Sequence, residues 1–274
     1  MKHRVSILSF LLVIALLVGA NVASQTPSQS PDKPLYHPTG SEATIVGTIS
    51  VKGPIPKPRR FDMFADPVCI KLNDNPETED FVTTADKLAN AFVYVKGDLL
   101  AVYRFPLPDS AATLERKDCR FSPHVMGLRV GQTLSIVNVD PTTHNTHPTP
   151  KLNREWNHSQ SPQGDPIIKT FTREEVLIPF KCNQPIEKTF ARSEVLIPVK
   201  CNQHPWEKGY VAVLNHPFFA VSDGFGNYEI RGVPPGTYTL AVWHEILGWQ
   251  EVEVSVMPSE VRKADFSFDS AKKP

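Results

Sequence analysis

An all-β fold is what this 274-residue chain predicts. Short apolar, β-branched runs recur between turn-forming residues. The 26 prolines outnumber the 14 glycines, a ratio that cuts helices short and suits strands joined by turns. No apolar pattern with a helical period runs for more than a few turns. Hydrophobic residues make up 41% and charged residues 21%, a balance that supports a packed core in water. Lys plus Arg equals Asp plus Glu at 29 each, so no basic excess points to nucleic acid and no one-sign block points to a polyanion or a membrane surface.

The elements follow in order. Residues 43–53 (ATIVGTISVKG) read as a strand ended by Gly-Pro, and 91–95 (AFVYV) as a second. The stretch between them is irregular and carries Cys69, with a short helix expected near 84–90. Residues 125–139 (VMGLRVGQTLSIVNV) read as two strands joined at Gly131. Further strands are expected at 210–214, 228–231, 237–244 and 252–256. Strands at such intervals build sandwiches or barrels.

Residues 1–24 have the pattern of a secretory signal peptide. Lys2, His3 and Arg4 precede an apolar run over 5–18, and small residues follow at Gly19, Ala20, Ala23 and Ser24. The run is shorter than the ~20 residues that span a bilayer, so cleavage and a mature chain with no membrane span are expected. Residues 25–42 then read as a disordered leader, and the protein as periplasmic or secreted. Export permits disulfides. Four cysteines, at 69, 119, 182 and 201, allow three full pairings, among which the sequence does not choose.

A tandem duplication lies in the middle of the chain. Residues 169–184 (KTFTREEVLIPFKCNQ) and 188–203 (KTFARSEVLIPVKCNQ) match with three differences at an offset of 19. One strand and its turn have been copied. Only the second copy runs on from its cysteine to a histidine, in Cys201-Asn-Gln-His204. The second copy is therefore expected to hold the strand position.

Cys201 and His204, three apart on a turn, can offer a thiolate and an imidazole to one metal. Upstream, NVDPTTHN (138–145) ends a strand and supplies His144. Two imidazoles and one thiolate form the trigonal set of a blue-copper site, usually completed by a weak axial ligand.

Residues 121–145 (FSPHVMGLRVGQTLSIVNVDPTTHN) resemble the opening of the cupredoxins, and 201–213 (CNQHPWEKGYVAV) resembles the closing stretch of the amicyanin-like members. The resemblance spans about 95 residues, 120–214. It implies a Greek-key sandwich over 118–215, copper as cofactor, His144, Cys201 and His204 as equatorial ligands, and Asn145 as a tie between the ligand loops. It also implies outer-sphere electron transfer to a redox partner protein, with the exposed edge of His204 as the electron's exit. The family's axial methionine falls on Glu207 here. A carboxylate is a harder donor, so it favours copper(II) and lowers the potential, and it makes zinc an alternative occupant. A Cys182–Cys201 disulfide would destroy this site. A structural Cys69–Cys119 bridge would leave Cys201 reduced and is the expected pairing. His124, His147, His216 and His244 are expected to pack or to face solvent, with His147 also an alternative ligand, and Trp206 to cover the edge of the site or to serve as an exposed docking point for a redox partner.

Residues 223–240 (DGFGNYEIRGVPPGTYTL) resemble the signature of the carboxypeptidase regulatory-like, transthyretin-like sandwich. That resemblance implies a scaffold or binding module, in some members for carbohydrate. Its opening strand is matched near 47–51, so the expected organisation is a transthyretin-like sandwich formed by 43–117 and 216–270 around a cupredoxin-like insert. The leading reading is an exported one-electron carrier. The alternative is a non-redox module that binds a glycan or envelope partner, with a vestigial or zinc-occupied site. No nucleophile–base order, paired-carboxylate motif or phosphate loop argues for an enzyme.

Overall fold

The strand Ala43–Lys52 shows how the sequence pattern becomes structure. Its residues alternate between buried and half-exposed, so Ile45, Ile49 and Val51 face the core. Gly47 is required there, because a Cβ would lie 1.9 Å from the Ala264 carbonyl oxygen and 2.8 Å from the Tyr228 ring. The computed structural model describes residues 33–181, 204 and 206–272. The expected signal peptide, residues 25–32 of the leader, Cys182 and Cys201 lie outside the described residues. The rest of the expected disordered leader is ordered: the Tyr36 amide donates to the Arg104 carbonyl at 2.8 Å, and the Tyr36 ring packs on the core of a sandwich.

The described residues are all-β, as the sequence predicts, with two short helices among them at Pro67–Leu72 and Asp98–Val102. Outside the duplicated region, the strands expected from the sequence are present, several with one to four more residues: Phe92–Lys96, Val125–Arg129, Thr133–Asn138, Lys208–Leu214, Asn227–Val233, Gly236–His244 and Gly248–Val256. Gly131 makes the turn between the second and third of these with φ +85°. The short helix expected near 84–90 is instead a tight hairpin of Thr83–Thr84 and Lys87–Leu88, with Ala85 at φ 54° in its turn.

One sandwich packs two sheets around Leu114, Phe121, Leu128, Leu134, Ile136, Phe180, Val211 and Val213. Its first sheet orders Ile167–Thr170, Thr133–Asn138, Ala112–Lys117 and Arg120–Ser122. Its second orders His158–Gln160, His144–Pro148, Glu175–Lys181, Lys208–Leu214 and Val125–Arg129. Ala112–Lys117 runs parallel to Thr133–Asn138, so residues N-terminal to position 118 belong to this sandwich's sheet.

The other sandwich brings chain ends together. Ala43–Lys52 pairs with Asn227–Val233, Val261–Lys263 and Phe266–Asp269, and Phe92–Lys96 pairs with Gly236–His244. Phe92–Lys96 explains why 91–95 reads as a continuous apolar run: Val93 and Val95 enter this sandwich's core, while Phe92 and Tyr94 face Val125, Ala212 and Leu214 of the first. The two sandwiches therefore share an apolar interface, to which Ala241 and Trp243 also contribute.

The strand position in the duplicated region is held by the first copy, not the second. Glu175–Lys181 pairs antiparallel with Lys208–Leu214 and with His144–Pro148. The copies differ at Phe180, where the second has Val199. Phe180 is fully buried, with ring centroids 6.1 Å from Phe121, 6.2 Å from Trp156 and 6.5 Å from Phe171. The larger side chain fills the core, which favours the first copy by the burial of the extra apolar area. Glu174, which is Ser193 in the second copy, also binds the Asn215 backbone and side-chain amides.

Residues 53–82, between strands of the second sandwich, form a strap that crosses to the end of the first. A Cys69–Cys119 disulfide fastens it, as the sequence led us to expect. Asn73 Nδ2 donates to the Asp118 carbonyl and Arg120 Nη2 to the Asn75 carbonyl. Helix Pro67–Leu72 starts on an Asp-Pro pair: Asp66 Oδ1 accepts from the Val68 and Cys69 amides, and proline at the first helical position has no amide to leave unsatisfied.

Candidate metal centre

His144 opens the strand His144–Pro148, and His204 and Glu207 lie on the turn before Lys208–Leu214. Pairing on either side of Glu175–Lys181 brings these segments to one end of the sandwich. The ligand atoms of His144, His204 and Glu207 lie within 4.8 Å of one another, and all three side chains are buried. Three of the four expected ligands are thus brought together, and the fourth, Cys201, lies outside the described residues.

Each imidazole is oriented by a carboxylate. His144 Nε2 is 2.8 Å from Asp140 Oδ2, and His204 Nε2 is 3.1 Å from Asp66 Oδ2. With Nε2 protonated, each ring donates to its carboxylate and carries its acceptor lone pair on Nδ1. Both Nδ1 atoms then face Glu207 Oε1, at 3.1 Å from His144 and 3.5 Å from His204. Three acceptors directed at one point need positive charge beside them, part of which the Arg116 guanidinium supplies. Burial pushes His144 down to about 4, against the pull of Asp140, and burial likewise lowers His204, so both rings are neutral donors at pH 7. Burial alone would raise Asp140 and Asp66. Hydrogen bonds from His144 and the Cys119 and Asp118 amides overrule it for Asp140, and those from Thr142, the Val68 amide and His204 do so for Asp66, so both carboxyls sit below their ordinary range.

Arg116, fully buried on Ala112–Lys117, was not marked by any sequence signal. Its guanidinium forms an ion pair with Glu207 Oε2, donates to His144 Nδ1 at 3.3 Å and to the Asn145 carbonyl at 3.3 Å, and stacks 3.7 Å over the Phe121 ring. Three carboxylates thus surround the pocket, with one fixed guanidinium among them. Two imidazole nitrogens and a carboxylate oxygen, each imidazole braced from behind, fit a divalent cation. Asn145 reaches Ser159 Oγ with its side-chain amide at 3.3 Å.

The imidazole edge of His204 is not exposed. The ring is 2% accessible, covered by Asp66 and by Cys69, whose Sγ is 3.8 Å from Nε2. The strap accounts for this, and nothing in the Cys-x-x-His turn reported it. Trp206 covers the site as expected: it lies 5.1 Å from His204, stacks on Phe61 at 5.7 Å, and donates to the Cys119 carbonyl at 3.1 Å. His147 binds Glu155 at 2.5 Å, and His124 binds Glu245 at 2.6 Å across the interface between the sandwiches. Of the residues that sequence reasoning missed, Asp140 lies within the N-x-D turn and Asp66 in an Asp-Pro helix start, which were legible signals. Arg116 had none.

No family model matches this chain, and no curated protein matches it. Among solved structures it is similar to a Cu-containing nitrite reductase from Thermus scotoductus SA-01, at 19% identity and a TM-score of 0.29, over 39% of this chain and 23% of that one. It is also similar to a mutant of amicyanin in its Cu(I) form, at 16% identity and a TM-score of 0.28, over 44% of this chain and 97% of that one. A purple cupredoxin from Nitrosopumilus maritimus is similar at 19% identity and a TM-score of 0.26, over 37% of this chain and 98% of that one. This chain therefore spans about a quarter of the nitrite reductase's length. Among the described residues, no helix is long and apolar enough to cross a membrane.

Proposed function

We propose that this chain is an exported copper-binding protein that carries single electrons, with His144, His204, Glu207 and Cys201 as the ligands. The observation that supports this reading is the pair of buried imidazoles, each tied by Nε2 to a carboxylate with Nδ1 turned to Glu207. Histidines that bind metals almost always give their other N–H to such a partner. Soft thiolate with imidazole suits copper, and a carboxylate in place of a thioether favours its oxidised state. Zinc is the alternative occupant.

Copper, when bound, supplies the one-electron couple. The chain's own residues do the rest. Asp140 and Asp66 hold the rings in place, Arg116 balances Glu207, and Trp206 with Phe61 keeps solvent out. We assign residues 1–24 to a signal peptide, place the mature protein in the periplasm or outside the cell, and read it as a carrier serving a redox partner rather than as an enzyme. The pairing of Ala43–Lys52 and Phe92–Lys96 with strands of 219–269 suits a transthyretin-like scaffold around a cupredoxin-like sandwich that takes in Ala112–Lys117 as well as 118–215. A second reading, a non-redox module for a glycan or envelope partner, draws on Arg116: its guanidinium already supplies Glu207 with a cation.

Titrating the mature protein with copper(II), beside a Cys201→Ser control, separates the two. One equivalent of copper with an intense thiolate-to-copper band, absent from the control, supports the carrier. A colourless protein that takes up zinc or nothing leaves the binding module.

A further inference from the structure

The disulfide lies inside the polar pocket. Cys69 and Cys119 are both fully buried. The ligand atoms of Cys69, His204 and Asp66 lie within 4.8 Å of one another, those of Cys69, Cys119 and Glu207 form a second such group, and those of Cys119, Asp140 and His144 a third. Cys69 Sγ approaches the Nε2 face of His204, the face opposite the Nδ1 that turns to Glu207. A bridge that only fastened the strap would need no imidazole against its sulfur. As a disulfide, neither sulfur is a strong donor. As thiolates, both suit soft and borderline cations.

We propose that reduction of Cys69–Cys119 creates a second metal site, in which Cys69, Cys119, His204 through Nε2, and Asp66 hold zinc(II) or copper(I). The set is two thiolates, one imidazole and one carboxylate, a tetrahedral zinc combination. It shares only His204 with the copper reading and does not depend on it. A dithiol reductant supplies the chemistry. It gives up two electrons and closes to its own disulfide, the Cys69–Cys119 bond breaks, and two protons end on the two thiols. Zinc(II) then displaces those protons to solvent. The strap supplies Cys69 and Asp66 and the sandwich supplies Cys119 and His204, so the metal would fasten the same two parts that the disulfide fastens.

The test uses the mature chain carrying Cys182→Ser and Cys201→Ser, in which Cys69 and Cys119 are the remaining cysteines. Zinc uptake is measured against a chromogenic chelator before and after reduction and removal of the dithiol. The reduced protein should bind one equivalent that the oxidised protein does not. Cobalt(II) in its place should give a thiolate charge-transfer band only after reduction. His204→Ala in the same background should weaken the reduced site at least about tenfold. Equal uptake by the oxidised and reduced forms would overturn the proposal, as would a reduced His204→Ala protein that binds zinc as tightly as its parent. If the serine background misfolds, alkylation of the intact reduced chain decides the matter: zinc should shield Cys69 and Cys119, and unshielded cysteines would sink the idea. Copper(II) titration with Cys201 intact is an independent measurement, so either reading can fail alone.

Discussion

The two sandwiches bury histidines equally well and put them to different uses. His216 and His244 belong to the second one. Each accepts a backbone amide on Nδ1, from Phe218 at 3.2 Å and Ile246 at 3.3 Å, and each packs on phenylalanine, His216 on Phe218 and His244 on Phe81. His144 and His204 in the first have a carboxylate on one nitrogen and a third carboxylate facing the other. Burial lowers the proton affinity of all four. Burial therefore does not distinguish a ligand from a packed ring. The partners do: His216 and His244 accept a backbone amide on Nδ1, whereas His144 and His204 turn Nδ1 to a buried carboxylate that the Arg116 guanidinium also neighbours.

The sharpest way to break this comparison is to release the strap that closes one sandwich and has no counterpart on the other. Replacing Cys69 and Cys119 by alanine removes a cross-link between residues 50 apart and should cost about 4 kcal/mol in urea unfolding. A cost near zero would mean that the strap is held by its other contacts. Next comes Arg116→Met, which strands buried Glu207 and should cost about 3 kcal/mol. Saturating metal should recover a large part of that loss, since it would neutralise the same carboxylate. If metal leaves the cost unchanged, Glu207 does not face the ion.

The packed histidines make a smaller, pH-dependent prediction. Burial pushes His216 down to about 3 and His244 to about 4, with Arg129 adding to the first and Glu245 partly opposing the second. Their folded values lie below the unfolded value, so the unfolded chain binds more protons. Their contribution is complete above pH 6.5 and is lost as pH falls toward 4. Denaturation at pH 6.5 and 4.5 should differ by about 2 kcal/mol for each ring. A flat profile would mean that these rings titrate normally. The smallest effect is expected from deleting residues 185–203, which joins Cys182-Asn-Gln to His204 at the original Cys-x-x-His spacing. Copper uptake should survive, with stability changed by less than about 1 kcal/mol, since loop-closure entropy changes only slowly with the length of a connection. Loss of uptake would show that Cys182 cannot replace Cys201.

The strands were legible because a period of two, and continuous runs such as AFVYV, are local consequences of which faces are buried. His144, His204 and Glu207 were legible because two turns carry them in short motifs. Arg116 sits on a strand whose sequence, ATLERK, is an ordinary alternation. Only its neighbours across the sandwich make it part of the pocket. Which repeat copy holds the strand is decided by the core volume that Phe180 fills, a tertiary contact, and not by the histidine that follows the second copy.

By itself, then, the sequence determined the all-β class, the order of the strands and which residue types could meet at one end of a sandwich, because these follow from local alternation, turns and motif spacing. Tertiary structure alone decided that His204 lies under a strap, that Arg116 pairs with Glu207, and that a disulfide borders the pocket. Those contacts join residues as far apart as Asp66 and His204, separated by 138 positions. No local pattern specifies such a meeting. It follows only when both sandwiches and the strap between them have packed.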